Sequence, residues 1–324
     1  MADPLLRARH VVRHFPVRRG LLQRVVGQVR AVDGVSIDIY PGETLGVVGE
    51  SGCGKSTLGR VLAGLLPVTS GELSFAGKSI GSQRGAELKR LRRDMQFIFQ
   101  DPTSSLDPRM RVHDIIAEGL DAQGVAAGPS RERLVRDILD RVGMRQDAAQ
   151  RHPHEFSGGQ RQRIGIARAL VLRPKLVVAD EPVSALDVSI QSQILNLLVE
   201  LKRELQLTYV FVAHNLAVIS YISDRIAVMY LGKIVEIGEA ARIYRSPRHP
   251  YTKALLSAMP QPVPGKRPER IVLHGDVPSP INPPSGCRFR TRCPIAQDFC
   301  AKSEPQLEGK ASEMAEHLVA CHFA

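Results

Sequence analysis

A glycine-rich segment constrains the fold of this chain more than any other feature. The segment Gly49–Thr57 (GESGCGKST) follows the short apolar run Glu43–Gly49 and opens the helix-like sequence STLGRVLAGLL. Glycines let the backbone curl so that N–H groups converge on one oxyanion, and the helix N-terminus adds partial positive charge. A glycine-rich turn without a ligand is the competing interpretation. The strand–loop–helix order favours a phosphate-binding loop, in which Lys55 reaches the β- and γ-phosphates and Ser56 binds Mg²⁺.

Two further apolar runs have the length of strands in a parallel sheet that is covered on both faces. They are Lys175–Glu181 and Thr208–His214, and between them apolar residues from Ile190 to Leu205 recur on one helical face. This alternation of strand and helix predicts an α/β core. The other predicted elements are an antiparallel strand at Val35–Ile39, a hairpin at Arg225–Gly238 turning near Gly232, mostly helical structure at 86–172 and an exposed loop at 118–131.

Two acidic residues, Asp180 and Glu181, end one of these apolar strands. Carboxylates there are costly to bury unless they face a cation or another polar group. We therefore expect Asp180 to hold Mg²⁺, directly or through water, and Glu181 to act as the general base toward the attacking water. The alternative is a solvated strand end.

The charge balance indicates an acidic partner. The chain has 44 Lys and Arg against 33 Asp and Glu, a formal net charge of +11. A nucleotide, a nucleic acid or an anionic lipid surface would suit this excess. The lack of Trp disfavours stacking on single-stranded bases. No apolar run reaches the roughly 18 residues of a membrane span, and the first ten residues lack a signal-peptide core. We therefore expect a cytosolic protein that can lie on a membrane.

The segment Phe156–Arg163 makes the prediction more specific. It contains Ser-Gly-Gly-Gln, which resembles the signature of the ATP-binding-cassette (ABC) ATPases. The serine and glycines open a helix, so their N–H groups can face an anion. The alternative is a helix cap without a ligand. The resemblance implies that this motif contacts the γ-phosphate bound to a partner subunit, so that two cassettes enclose two ATP molecules head to tail.

The remaining motifs of that family occur in the same order. Gln100 resembles the glutamine that contacts Mg²⁺ or water, and Ser184–Asp187 resembles the loop that crosses the dimer interface. His214 resembles the switch histidine that contacts the γ-phosphate. Phe15 is the candidate for stacking on adenine, although an insertion-like segment, Val17–Arg30, separates it from the next strand.

Three segments resemble one branch of the family. They are Asp101–Arg109, Arg248–Pro260 and a cysteine-containing tail, which together resemble the ATPase subunits of dipeptide and oligopeptide importers, whose close relatives carry nickel. AVDGVSI and ESGCGKSTLGR resemble the second of the two ATPase subunits in such importers. Ala213 and Asn215 depart from the family pattern, in which Ser or Thr precedes the switch histidine and Asp follows it.

The cysteine tail follows a proline-rich stretch in which eight of the 22 prolines lie between Pro260 and Pro284. Disulfides are rare in the cytosol, so four clustered thiols favour a metal centre. The resemblance implies a four-iron, four-sulfur cluster, with Arg288, Arg290 and Arg292 offsetting its charge. Zinc and free thiols remain alternatives. His317 and His322 are candidate replacement ligands, but we expect them to be solvated histidines. Cys53 is expected to be a space-filler, and the tail cysteines are Cys287, Cys293, Cys300 and Cys321.

These expectations define an α/β P-loop ATPase core with an antiparallel β subdomain, a helical subdomain near 86–172 and a Pro-rich, Cys-containing C-terminal arm. The predicted domains are 1–258 and 259–324. The resemblance implies ATP hydrolysis that energises import of di- or oligopeptides. The alternative function is that of a soluble ABC ATPase acting on nucleic acid or ribosomes. The implied partners are two membrane permease subunits, a second ATPase subunit and an extracytoplasmic solute-binding protein, at the cytoplasmic face of the inner (plasma) membrane.

The candidate site residues fall into three groups. The catalytic candidates are Glu181, His214, Lys55 and Gln100. The metal ligands are Ser56, Gln100 and Asp180 for Mg²⁺, and the four tail cysteines for iron and sulfur. The ATP-binding candidates are Phe15, Gly49, Glu50, Ser51, Gly52, Cys53, Gly54, Lys55, Ser56, Thr57, Gln100, Ser157, Gly158, Gly159, Gln160, Asp180 and Asp187.

Overall fold

The glycine-rich loop joins a buried strand to a helix in the computed structural model of the chain, which describes residues 3–20, 23–125, 127–259, 270–309 and 317–324. The strands are β1 (Leu6–Arg19), β2 (Arg24–Ile39), β3 (Thr44–Val48), β4 (Ser70–Phe75), β5 (Lys78–Ser79), β6 (Met95–Ile98), β7 (Leu176–Asp180), β8 (Thr208–Ala213), β9 (Arg225–Tyr230), β10 (Lys233–Glu239) and β11 (His317–Val319).

Helices follow most of these strands. They are α1 (Lys55–Leu62), α2 (Gly85–Asp94), α3 (Pro102–Ser105), α4 (Val112–Gln123), α5 (Gly128–Arg141), α6 (Gly158–Leu170), α7 (Val188–Leu205), α8 (Leu216–Ile222), α9 (Ala240–Arg245), α10 (Pro250–Ser257) and α11 (Phe299–Lys302). Short 3₁₀ helices occupy Gln146–Gln150 and Pro153–Glu155. Within the described ranges, no helix has both the length and the apolar character needed to cross a membrane.

The chain divides into two compact units. The first comprises Tyr40–Glu43 and Ser79–Phe211, together with Asp3. In it β6 and β7 pair in parallel, and β7 lies between β6 and β8. Helices α4, α5 and α6 pack together through buried residues that include Ile116, Leu139 and Ile164. The stretch 86–172 is therefore mostly helical, as predicted, and also contains strand β6.

The predicted loop at 118–131 was wrong. Helix α4 continues to Gln123, and α5 begins at Gly128. Leu120 and Val135 are fully or almost fully buried, so apolar packing extends both helices into a segment whose composition is typical of a loop. Gly124, with φ 62°, ends α4 in the left-handed conformation that glycine adopts at little cost.

The second unit comprises Pro4–Ile39, Thr44–Lys78 and Val212–Ala324. Its antiparallel sheet has the order β2-β1-β4-β5, which confirms the predicted antiparallel subdomain. The described residues of the insertion-like segment Val17–Arg30 form the outer part of the β1–β2 hairpin, because cross-strand pairing continues beyond Phe15. A second group of strands has the order β11-β10-β9-β3. The predicted hairpin is confirmed as β9–β10, with Gly232 at the turn with φ 81°.

The C-terminal arm contributes to this second group of strands. Strand β11 pairs with β10, and His317 Nε2 lies 2.7 Å from Oε1 of the fully buried Glu236. Burial raises the pKa of Glu236, but hydrogen bonds from His317 and from the backbone N–H groups of Arg248 and His249 outweigh it and hold the pKa below its usual range. The predicted boundary at 258/259 stays a prediction, since residues 260–269 lie outside the described ranges.

Acidification is expected to destabilise this region through His249. The side chain is buried at the start of α10, where Nδ1 accepts a hydrogen bond from Tyr251 N–H. Burial lowers the pKa of His249 to about 4, although the nearby Glu236 carboxylate opposes this shift. Between pH 6.5 and 4 the unfolded chain binds the proton and the folded chain does not, so stability falls as pH falls. The loss at pH 5 is on the order of 2 kcal/mol.

Thermal unfolding at pH 7 and pH 5 measures this effect. His249→Asn retains a cap acceptor for α10 without a group that titrates in this window. The variant is expected to lose less stability than the wild type between the two pH values. An equally steep loss would assign the pH dependence to other groups.

Candidate nucleotide-binding site

The glycine-rich loop lies in the second unit and packs too tightly against neighbouring backbone of that unit to accept side chains at two positions. A Cβ at Gly54 would lie 1.9 Å from the carbonyl oxygen of Ala31, and one at Gly49 would lie 2.1 Å from that of Met229. Gly54 also has φ 107° and forms the N-cap of α1. Glycine is therefore required at both positions, and the backbone curl predicted from the sequence is present.

Lys55 folds back over this loop. Its side chain is almost fully buried, and Nζ donates hydrogen bonds to the carbonyl oxygens of Gly49 at 2.8 Å and Glu50 at 3.0 Å. Ser56 and Thr57 follow in the first turn of α1 and are half-buried. Cys53 is buried beneath the loop, and this burial raises the pKa of its thiol. A buried protonated thiol matches its expected role as a space-filler.

The two acids lie at the end of β7 in the first unit. Asp180 is the last residue of the strand and is only 1% exposed, whereas Glu181 is half-buried. Glu181 has φ 45°, a left-handed conformation that costs energy in a residue with a side chain. Gln100, which follows β6, donates a hydrogen bond from Nε2 to Glu181 Oε2 at 3.1 Å. The fold thus brings together two predicted site residues that are 81 positions apart in the sequence.

The Ser-Gly-Gly-Gln segment caps helix α6 in the same unit. The Ser157 N–H donates to Gln160 Oε1 at 3.0 Å, and the Gln160 N–H donates to Ser157 Oγ at 3.4 Å. This is a reciprocal capping box. Ser157, Gly158 and Gln160 are exposed, while Gly159 packs closely against Ile190. The capping geometry leaves the side chains at this helix end on the surface.

Two further predicted residues lie at exposed element ends. Asp187 caps α7 by accepting the Ile190 N–H at 3.0 Å. His214 follows β8, and the next residue, Asn215, caps α8 by accepting the Ala217 N–H at 2.9 Å. The departure from the family pattern at Asn215 therefore keeps a competent helix cap.

Phe15, the candidate for adenine stacking, is half-buried on β1. The Arg13 guanidinium lies 4.6 Å from the centre of its ring, within the range of a cation–π contact. The stacking role stays a prediction.

Two arginines of the arm form ion pairs that the sequence did not reveal. Arg292 forms two hydrogen bonds with the carboxylate of Glu50, at 2.6 and 3.2 Å, and Arg288 pairs with Asp33. We had expected both positive charges to offset the charge of a cluster. Each is instead balanced by a carboxylate. No local sequence signal links Arg292 to a residue 242 positions earlier.

The four tail cysteines are free thiols gathered in one region of the second unit. Cys287 N–H donates to the Cys300 carbonyl at 2.7 Å. Burial raises the pKa of Cys287 to about 11, and the nearby thiols of Cys300, Cys293 and Cys321 add to the rise. Across the described ranges, no group of three or more His, Cys, Asp or Glu is arranged to hold a metal ion.

The two histidines considered as replacement ligands have other partners. His317 is buried against Glu236, and His322 Nε2 lies 3.0 Å from the carbonyl oxygen of Ser303. The expectation that His317 is solvated was therefore wrong, because the ring is buried against a carboxylate, and these contacts do not support either histidine as a replacement for a cysteine ligand.

Comparisons with known proteins match both parts of the chain. Residues 32–184 match the ABC transporter family, and residues 235–300 match the family described as oligopeptide/dipeptide transporter, C-terminal region. The oligopeptide transport ATP-binding protein AppF of Bacillus subtilis is 50% identical over 99% of this chain and 98% of its own length. OppF of Escherichia coli, with the same description, is 53% identical over 90% of this chain and 87% of its own.

Solved structures with the same fold include a dimeric ATP-binding cassette, MJ0796, bound to ADP and Pi. It matches with a TM-score of 0.64 and 27% identity, covering 72% of this chain and 98% of that one. CbiO1 from Clostridium perfringens, part of an ABC transporter complex, matches with the same TM-score and covers 76% of this chain and 92% of its own. This chain therefore belongs to the ATP-binding proteins of the ABC transporter family, in the oligopeptide/dipeptide transporter branch.

Proposed function

We propose that this chain is the ATP-hydrolysing subunit that energises import of di- or oligopeptides through a membrane ABC transporter complex. The observation that carries the proposal is the near full-length similarity to proteins named oligopeptide transport ATP-binding proteins. The similarity includes the C-terminal region, which lies outside the cassette. The cassette accounts for ATP hydrolysis, and the C-terminal region points to peptide transport. Nucleic-acid or ribosome action is disfavoured, because none of these relatives is named for it.

The phosphate chemistry is assigned to the glycine-rich loop. Gly49, Glu50, Ser51, Gly52, Cys53, Gly54 and Thr57 form its backbone cradle, whose N–H groups bind phosphate oxygens. The Lys55 ammonium supplies a full positive charge to the β- and γ-phosphates. Because that ammonium is held by loop carbonyls, little reorganisation is needed when it binds an anion.

The Mg²⁺ ligands are assigned to Ser56, Asp180 and Gln100. Hydroxyl, carboxylate and amide oxygens are the donors that Mg²⁺ prefers, and the burial of Asp180 fits a carboxylate that faces a cation. Gln100 bonds Glu181 through its nitrogen, so its amide oxygen remains for the ion. Bound Mg²⁺ neutralises charge that develops on the phosphoryl oxygens.

The attacking water is assigned to Glu181. Its Oε2 accepts a hydrogen bond from Gln100, which orients the carboxylate, and in this proposal the carboxylate accepts a proton from the water. His214 contacts the γ-phosphate as the switch residue, and Phe15 stacks on adenine.

The site is completed by a second cassette in this proposal. Ser157, Gly158, Gly159 and Gln160 contact the nucleotide held by the partner, and Asp187 lies at the dimer interface. The exposed capping segments of α6 and α7 are compatible with such a head-to-tail dimer.

The proposed partners are a second, paralogous ATPase subunit, two permease subunits and an extracytoplasmic binding protein. The chain then lies peripherally on the cytoplasmic face of the inner (plasma) membrane.

Co-purification and stimulated ATPase activity test this function. The chain, expressed together with permease subunits of a peptide importer, is expected to pellet with membranes and to leave them with the permease in detergent. In vesicles with the binding protein, oligopeptide is expected to raise ATP hydrolysis several-fold. Added DNA or RNA is expected to have no effect at physiological salt. Stimulation by polynucleotide alone would support the alternative function and contradict this proposal.

We further propose that 259–324 is a C-terminal arm carrying a four-iron, four-sulfur cluster on Cys287, Cys293, Cys300 and Cys321. The clustering of four thiols supports this, since such clusters take four thiolates. A zinc ion needs all four sulfurs about 2.3 Å from one centre, whereas a cluster spreads them over several irons. When bound, the cluster would cross-link the arm.

Cys293→Ser is expected to remove the iron and loosen the arm, while Mg·ATP still binds the core. Wild-type protein purified without oxygen is expected to be brown, with absorbance near roughly 400 nm and about four irons per chain. Metal analysis and absorbance measure both proteins, with Cys53→Ser as the control that keeps its iron. Stoichiometric zinc in a colourless wild type would overturn the iron assignment, and no metal at all would overturn the metal centre.

A further inference from the structure

A side chain of the cysteine arm reaches the phosphate-binding loop. Arg292 lies between Cys287 and Cys293 in the sequence, yet its guanidinium bonds the carboxylate of Glu50, inside the loop. Both carboxylate oxygens are used, with Nη1 at 2.6 Å and Nη2 at 3.2 Å. The Arg292 side chain is only 9% exposed and that of Glu50 27%. A bidentate, charge-assisted pair shielded from water has a defined geometry, unlike a surface ion pair.

Three groups of Glu50, its N–H, its carbonyl oxygen and its carboxylate, each form a hydrogen bond or ion pair. Its N–H donates to the hydroxyl of Tyr251 on α10 at 2.8 Å, and its carbonyl oxygen accepts the Lys55 ammonium at 3.0 Å. The Arg292 guanidinium holds the carboxylate. A movement of Glu50 would therefore displace one of the two carbonyl groups to which Lys55 Nζ is bonded.

Arg292 is itself anchored by a buried aromatic cluster. Its N–H donates to the carbonyl of Phe289 at 2.9 Å. The Phe289 ring is fully buried, and its centre lies 5.3 Å from that of Tyr230 and 5.4 Å from that of Tyr251. Tyr251 also accepts the Glu50 N–H, so one cluster fixes both ends of the ion pair. The Glu50 carboxylate raises the pKa of Arg292 further above its already high usual value.

We infer that Arg292 is a positioning residue for nucleotide binding, acting through Glu50 on the loop backbone that orients Lys55. The inference rests on the proposed ATP site. A loop already held in its binding conformation loses less conformational entropy when phosphate arrives, so fixing Glu50 raises nucleotide affinity. The arm is then part of the nucleotide site, and its loss weakens ATP binding without removing any group that touches ATP.

The arm offers a matched control. Arg290 is two residues away, and its guanidinium bonds Ser285, within the arm itself. Arg290→Met removes an arm arginine without affecting the loop. Arg292→Lys keeps the charge but cannot form both bonds of a planar guanidinium.

Titration of the full-length protein with Mg·ATP tests the inference. Arg292→Met and Glu50→Gln are each expected to raise the Kd about tenfold, and the double variant is expected to bind no more weakly than either single one. Arg292→Lys is expected to bind with intermediate affinity and Arg290→Met like the wild type. Thermal melting of each variant identifies any that fails to fold, and the milder Arg292→Lys then provides the comparison.

Three outcomes would overturn the inference. They are wild-type affinity in folded Arg292→Met, an equal loss in Arg290→Met, and additive losses in the double variant, which would indicate two independent structural effects. A failure of the proposed ATP site would look different, because the wild type would then bind no Mg·ATP and Lys55→Ala would change nothing.

Discussion

Glu181→Gln is expected to bind Mg·ATP like the wild type and to lose about 10²–10⁴-fold in hydrolysis rate. The amide has nearly the same shape as the carboxylate, but it cannot accept the proton of the attacking water. Gln100 contacts Glu181 at 3.1 Å, and an amide oxygen at position 181 can still accept that hydrogen bond. The fall in hydrolysis rate therefore measures the loss of the general base rather than a change in the structure of the site.

The measurement pairs single-turnover hydrolysis with nucleotide binding. Because ATP stays intact, the ATP-bound dimer is expected to persist and to elute early in size-exclusion chromatography with Mg·ATP. Glu200→Gln, on the exposed part of α7, is the matched control and should hydrolyse ATP at the wild-type rate. Normal turnover by Glu181→Gln would assign the base to another residue.

Lys55→Ala is expected to abolish productive nucleotide binding and to lower the ATPase rate by about 10²–10³-fold or more. The substitution removes the fixed cation of the loop. It also leaves the carbonyls of Gly49 and Glu50 without the donor that holds them. Both effects weaken phosphate binding, one through charge and the other through the shape of the loop.

Lys55→Met separates these effects from simple loss of packing, since it fills most of the buried space without a charge. Both variants are expected to fail in Mg·ATP titration while melting as cooperatively as the wild type. The exposed Lys89→Ala is the control and should bind normally. Wild-type ATP turnover by folded Lys55→Met would contradict the assignment of Lys55 to phosphate binding.

The elements that sequence predicted well are those set by short-range pattern. The strands β3, β7 and β8, the helix α7 and the β9–β10 hairpin all lie where period and turn residues placed them. The loop glycines also form a short-range sequence pattern. The structure explains why they are glycines, because φ 107° at Gly54 and the close contact at Gly49 admit no side chain. The wrong loop at 118–131 shows the limit of composition, since packing by Leu120 and Val135 overrode its small and polar residues.

By itself the sequence determined the phosphate-binding loop, the acids that end β7 and the α/β order of elements, because each depends on residues close together along the chain. Only the tertiary structure decided that Gln100 meets Glu181, that His317 is buried against Glu236, and that Arg292 reaches Glu50 across 242 residues. Such pairs leave no periodic signal, since they form only when folding closes long loops. The sequence predicted that the arm is an appendage, and folding placed one of its arginines against the glycine-rich loop.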